Sequence, residues 1–183
     1  MPVRHGVNIR YEIGSVNPQE RPLGVSSSTL AKRYSLILQP LGSLLRMTSF
    51  ELEIRVRYQE TDAQARVHHA NYLTYFEQAR VEMLRAMGIS YKALEEAGVL
   101  LVVAEANVQY FLPAEYDDLL RIRVTTMQAK GARIIHEYDV RRGEDHICKG
   151  RTVVACINRQ GRVQRLPAWL LPDQEASAAD SAD

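Results

Sequence analysis

An α+β fold, with one long helix packed against a single antiparallel β-sheet, follows from where the hydrophobic period of this sequence changes. Phe50 to Tyr58 alternates, with Phe50, Leu52, Ile54, Val56 and Tyr58 on one face and Glu51, Glu53, Arg55 and Arg57 on the other, the pattern of a half-buried strand. From Ala70 to Met87 the period becomes helical. Tyr72, Leu73, Tyr75, Phe76, Ala79, Met83, Leu84, Ala86 and Met87 share one broad face, opposite Thr74, Gln78, Glu82 and Arg85, and Gly88 supplies the stop. Ser90 to Ala97 reads as a short second helix, capped by Ser90 and ended by Gly98.

The remainder reads as strands. Leu100, Val102, Ala104, Ala106, Val108 and Tyr110 are expected on one face, and Pro113 closes that run. Leu120, Ile122 and Val124 alternate with Arg121, Arg123 and Thr125. Runs over 133–140 and 146–157 follow, separated by turns at Gly131 and Gly143, and Gly161 leads to a last strand near Val163. Such short connections imply antiparallel neighbours. The apolar run from Leu100 to Phe111 is a poor candidate for a bare sheet edge, and pairing with a second copy would cover it.

The chain has 183 residues, 46 % of them hydrophobic, with a net charge of +1. That suits one soluble domain and carries no basic stripe of the kind a nucleic-acid partner needs. No apolar run approaches the roughly 20 residues that span a bilayer. Cys148 and Cys156 lie in one strand-like run, about 26 Å apart if it is straight. They cannot form an intrachain disulfide, and a reducing, cytoplasmic setting is expected. Residues 1–46 are rich in Ser, Pro and Gly, with Glu12 and Glu20 as the acids. They are expected to be either a disordered extension upstream of a true start at Met47 or a targeting segment, which leaves organellar import open. The expected domain is 47–172, followed by a disordered acidic tail at 173–183.

Chemistry concentrates in the loop between the first strand and the long helix, Thr61-Asp62-Ala63-Gln64-Ala65-Arg66-Val67-His68-His69-Ala70-Asn71-Tyr72-Leu73. A carboxylate just upstream of a helix start places a base or nucleophile beside free backbone N–H donors. Hydrolysis of a carbonyl compound needs both. An Asp before a helix can equally be a plain turn former. Asp62, His68 and His69 are metal-ligand types, but adjacent histidines on a loop turn apart and no third spaced ligand supports them, so no metal is expected. Arg80 projects into the apolar helix face, where an ion pair with Glu77 and a snorkelling stem would account for it.

This loop and helix, continued by Phe76-Glu77-x-Ala79-Arg80, Phe111-x-Pro113 and Tyr116-x-Asp118, resemble the hotdog-fold acyl-CoA thioesterases of the 4-hydroxybenzoyl-CoA and Tol–Pal-associated type. The resemblance covers roughly residues 50 to 170. It implies a hotdog fold, an acyl-CoA substrate, no cofactor, and a homodimer or homotetramer with active sites at the dimer interface. By the same resemblance, Asp62 is the catalytic carboxylate and the His69 backbone N–H the oxyanion donor. Asn71, Tyr72 and Phe76 are expected at the substrate, with Glu77 as a candidate second carboxylate. Arg121, Arg123, Arg133, Arg141 and Arg142 are either phosphate-binding groups or a solvated sheet face. One departure stands out: the family has Gly where this chain has Ala65, a strained choice if the position needs φ > 0. The alternative reading is a non-catalytic acyl-thioester-binding or scaffold protein on the same fold. A dehydratase ranks lowest, because the His-Phe-Pro-Gly pattern is absent.

Overall fold

The computed structural model describes residues 6–10 and 49–171. Six strands form one antiparallel sheet: β1 (Gly6–Arg10), β2 (Ser49–Arg55), β3 (Leu100–Tyr110), β4 (Leu119–Lys130), β5 (Arg133–Arg142) and β6 (Asp145–Ile157), in the order β1-β3-β6-β5-β4-β2. Two helices, α1 (Asn71–Ala86) and α2 (Tyr91–Glu96), lie between β2 and β3 in the chain. Among the described residues no helix is long and apolar enough to cross a membrane.

Helix α1 buries Tyr72, Tyr75, Phe76, Ala79, Met83 and Leu84, a subset of the face its periodicity predicts. The first five pack with Leu120, Ile122 and Val124 of β4, Val140 of β5 and Cys148 of β6, while Leu84 packs in a second cluster with Ile89, Ile134 and Val154. The alternation of β4 sends Arg121 and Arg123 to the opposite, solvated face. Gly150 lets the Phe76 ring lie directly on β6, since a Cβ there would fall 2.2 Å from the ring. Phe76 also stacks on Tyr138, with ring centroids 4.2 Å apart. Both cysteines are free and buried.

Three details depart from the expected pattern. Strand β2 stops at Arg55, and a 3-10 turn over Tyr58–Glu60 leaves Tyr58 79 % exposed instead of on the buried face. The physical cause is Glu60, whose carboxylate accepts hydrogen bonds from the backbone and guanidinium of Arg57 and curls the chain. In β3 the register shifts between Val103 and Glu105, so one face does not run the whole length. Ala106 and Val108 face the core as expected, but on the other side of the bulge Leu101 packs inward rather than Leu100 and Val102.

The third departure lies in the N-terminal extension. Gly6–Arg10 is a strand, antiparallel to Glu105–Gln109 of β3. The rest of 1–46, and the tail 173–183, lie outside the described residues. The β3 edge is thus paired over Glu105–Gln109 by a segment of the same chain, and that stretch needs no second copy to satisfy it.

Candidate functional site

The loop after β2 is a small closed ring. Thr61 bridges Val67, and the Asp62 N–H donates to the Arg66 carbonyl at 2.9 Å. Within it the Asp62 carboxylate accepts the Gln64 N–H at 2.8 Å, so the turn-forming role and an available second oxygen coexist in one half-exposed side chain. Ala65 sits at φ +59°, the left-handed region that favours glycine. The loop therefore adopts its tight geometry without the glycine, and the cost falls on stability.

Glu60 ties this ring to α1. Its carbonyl accepts from the His68 N–H (2.9 Å) and from the Asn71 side-chain amide (2.7 Å), and its carboxylate accepts the Tyr75 hydroxyl (2.9 Å). Burial alone would raise the Glu60 pKa. The backbone and side-chain hydrogen bonds from Arg57, with that from Tyr75, outweigh burial and hold it below the usual carboxylate range. Glu60 thus stays charged and anchors both ends of the loop. Its support of α1 accumulates above the ordinary carboxylate pKa and is lost as the pH falls through the depressed value.

His69 stands one residue before the helix cap, Ala70. The neighbouring N–H groups are taken: His68 donates to Glu60, Ala70 to the His68 ring at 3.3 Å, and Asn71 to the His68 carbonyl. Among the described residues the His69 N–H has no acceptor. The Tyr110 hydroxyl donates to the His69 carbonyl at 2.9 Å and holds the His69–Ala70 peptide. The His68–His69 peptide that carries the His69 N–H is held through its carbonyl, which accepts the Asn71 N–H at 2.9 Å. Burial, with a smaller contribution from Cys148, pushes Tyr110 up to about 12, so it remains a donor at neutral pH.

Asp62 and His69 are brought together by the Glu60–His68 pairing, each within two residues of it. The other expected site residues are placed differently. The Asn71 amide nitrogen is committed to Glu60, Tyr72 is almost fully buried, and Phe76 has no exposed surface, so all three first serve the core and the loop anchor. Glu77 faces solvent on α1, about 9 Å along the axis from Asn71, and has no ion-pair partner among the described residues. The expected Glu77–Arg80 pair does not form, because Arg80 turns inward to donate to the Tyr138 hydroxyl at 2.9 Å. On the sheet's outer face Arg123 pairs with Glu51 (2.9 Å) and Arg141 with Asp139 (2.7 Å), and at the strand end Arg142 pairs with Asp118 (2.7 Å).

Glu60 and Tyr110 were not singled out in the sequence. Glu60 lies next to the motif, beyond the end of the alternating run at Tyr58, where no period assigns it a face. Tyr110 looked like a core residue, and only the fold brings it across to His69.

Residues 56–173 match the pattern described as the thioesterase-like superfamily, over more than half the chain. The chain belongs to this superfamily. The acyl-CoA thioesterase YbgC of Haemophilus influenzae is 36 % identical over 110 residues, 60 % of this chain and 81 % of that protein. The acyl-CoA thioester hydrolase YbgC of Escherichia coli O6:H1 is 32 % identical over 115 residues, 62 % of this chain and 86 % of that one. The crystal structure of a DHNA-CoA thioesterase from Staphylococcus aureus superposes with a TM-score of 0.65 at 27 % identity, covering 74 % of this chain and 93 % of that one. The single antiparallel sheet with its helix is accordingly the hotdog arrangement, and this member of the thioesterase-like superfamily is a thioester hydrolase.

Proposed function

We propose that this thioester hydrolase cleaves acyl-CoA esters to free acid and CoA, with Asp62 as nucleophile or general base and the His69 N–H as oxyanion donor. The observation that carries the proposal is the unclaimed His69 N–H at the positive end of α1, one loop away from the half-exposed Asp62 carboxylate. The thioester oxygen docks against this N–H, an interaction typically worth about 2.7–4 kcal/mol in the transition state. Asp62 then either attacks the carbonyl carbon, expelling the thiolate and leaving a mixed anhydride for water to hydrolyse, or removes a proton from the attacking water.

The exposed apolar residues Tyr58, Phe111, Leu112 and Tyr116 surround the loop, with the Tyr58 and Tyr116 rings edge to face at 5.6 Å. They suit an acyl group or a second copy closing over the site, and a homodimer or homotetramer with the site at its interface is part of this proposal. Two buried, unpaired cysteines fit a reducing compartment, and the cytoplasm is the proposed place of action.

Thiol release from short, long and aromatic acyl-CoA esters tests the reading. Asp62→Ala is expected to lower kcat by about 10²–10⁴-fold with the fold intact. His69→Pro, which deletes the N–H, is expected to cost about 10²–10³-fold, whereas His69→Ala keeps most of the activity. Full turnover in Asp62→Ala would sink the assignment. A well-folded wild type that releases no thiol from any ester would favour the binding-protein alternative.

A further inference from the structure

The core of this domain is divided in two by a layer of polar side chains. Tyr72, Tyr75, Phe76, Leu120 and Val140 belong to one apolar cluster, and Leu84, Ile89, Ile134, Val154 and Cys156 to the other. On each of three strands a polar residue falls between the two sets, Thr126 on β4, His136 on β5 and Thr152 on β6, and Arg80 reaches this layer from α1, between Ala79 and Met83 of the first cluster. The layer is linked internally. Arg80 donates to the Tyr138 hydroxyl (2.9 Å), which bonds Thr152 Oγ1 (3.0 Å), and Thr126 Oγ1 lies 3.2 Å from His136 Nδ1.

A cavity of about 60 Å³ opens at this layer. One water needs about 10–15 Å³ and a cavity that takes a benzene ring about 150 Å³, so there is room for a chain of a few carbons and none for a ring. Arg80 of α1 and His136 of β5 line it, and Met83, Met87, Leu101 and Ile134 supply an apolar wall. Arg80 is about 13 Å along the helix axis from Asn71, and the buried Tyr72, Tyr75, Phe76 and Ala79 intervene, so the cavity is separate from the Asp62 loop.

The charge in this cavity is unbalanced. Among the described residues no carboxylate lies in ion-pair range of the Arg80 guanidinium. Its hydrogen-bond partner among the described residues is a neutral hydroxyl, that of Tyr138, and most of the planar donor fork has no acceptor there. His136 is 5 % exposed, and burial, helped by Arg80, depresses its pKa to about 3. It is therefore neutral, and with Thr126 on Nδ1 its other nitrogen has no partner among the described residues. A half-buried guanidinium beside a neutral imidazole and an apolar wall calls for an anion with a hydrocarbon body.

We propose that this cavity is a second ligand site, taking a small monocarboxylate whose carboxylate pairs with Arg80 and whose short alkyl chain lies against Met83, Met87, Leu101 and Ile134. The acid released by thioester hydrolysis belongs to this chemical class. The site itself does not depend on that chemistry and is read by binding alone.

Calorimetric titration of the full-length protein with propanoate and with butanoate tests it, with 1-butanol as the uncharged control. At least one acid is expected to bind saturably at one site, with the alcohol weaker by about tenfold or more, the size of one charge-assisted hydrogen bond. Arg80→Met is expected to weaken the acid by about the same factor. Met87→Trp, which fills the cavity and leaves Arg80 in place, is expected to abolish binding, and it decides alone if Arg80→Met does not fold. Asp62→Asn should bind the acid like the wild type. Absence of saturable binding to the wild type, unchanged binding in Met87→Trp, or loss of binding in Asp62→Asn would each overturn the proposal.

Discussion

Ala65 is the residue at which this chain differs from what its own loop geometry prefers. A left-handed conformation costs a non-glycine residue about 1 kcal/mol or more, and Ala65 adopts it at φ +59° because the Thr61–Val67 bridge and the Asp62–Arg66 hydrogen bond fix both ends of the turn. Ala65→Gly is therefore expected to raise stability by about 1 kcal/mol in thermal unfolding while leaving turnover unchanged. A loss of stability would mean that the turn is not under strain. Asp62 shows why one residue can satisfy two accounts. Its Oδ1 forms the turn with Gln64, while the carboxylate remains half-exposed beside the helix start.

At the level of elements, the contact that fixes how closely α1 approaches the sheet is Phe76 on Gly150. A side chain at 150 would collide with the ring, and the ring is already held by its stack on Tyr138. Gly150→Ala is expected to destabilise the fold by about 1–3 kcal/mol, the usual cost of overpacking. Phe76→Leu in the same chain should recover part of the loss, a non-additivity that a double-mutant cycle in denaturant would measure. The sheet edge carries a second prediction. Because β1 pairs with Glu105–Gln109, removing residues 1–46 is expected to speed amide hydrogen exchange over that stretch of β3 and to leave β4 and β5 unaffected. Unchanged exchange in β3 would show that the N-terminal strand contributes nothing to the edge.

For the molecule as a whole, the polar layer couples stability to pH. The unfolded chain takes up a proton on His136 near 6.5, the folded chain only near 3. The folded state therefore has its full margin above about pH 6.5 and loses it as the pH falls from there towards 3. The slope approaches about 1.4 kcal/mol per pH unit once the unfolded histidine is protonated. His136→Gln should flatten the stability curve between about pH 6.5 and 5, where ordinary carboxylates have not yet begun to titrate. Chemical denaturation at a series of pH values, wild type against variant, reads this directly, and parallel curves would contradict it.

The sequence by itself determined the elements and their faces wherever the period was regular: α1 with its buried stripe, the alternation of β4, the Ser90-capped α2, and the loop that carries Asp62 and His69. These are local properties, set by side-chain spacing and by the turn chemistry of a few residues. The strained position at Ala65 was legible only through the resemblance, which sets a glycine where this chain has Ala65. Tertiary structure alone decided the rest. The bulge in β3 is invisible to period counting, because one unpaired residue exchanges the two faces of an otherwise alternating run. Arg80 turned from Glu77 to Tyr138, and Tyr110 reached His69, through contacts between residues 58 and 41 positions apart. Whether Phe76 is a pocket wall or a core ring depends on a glycine on β6 that no helical pattern reports. Spacing fixes which way a side chain faces, and only packing fixes what it meets.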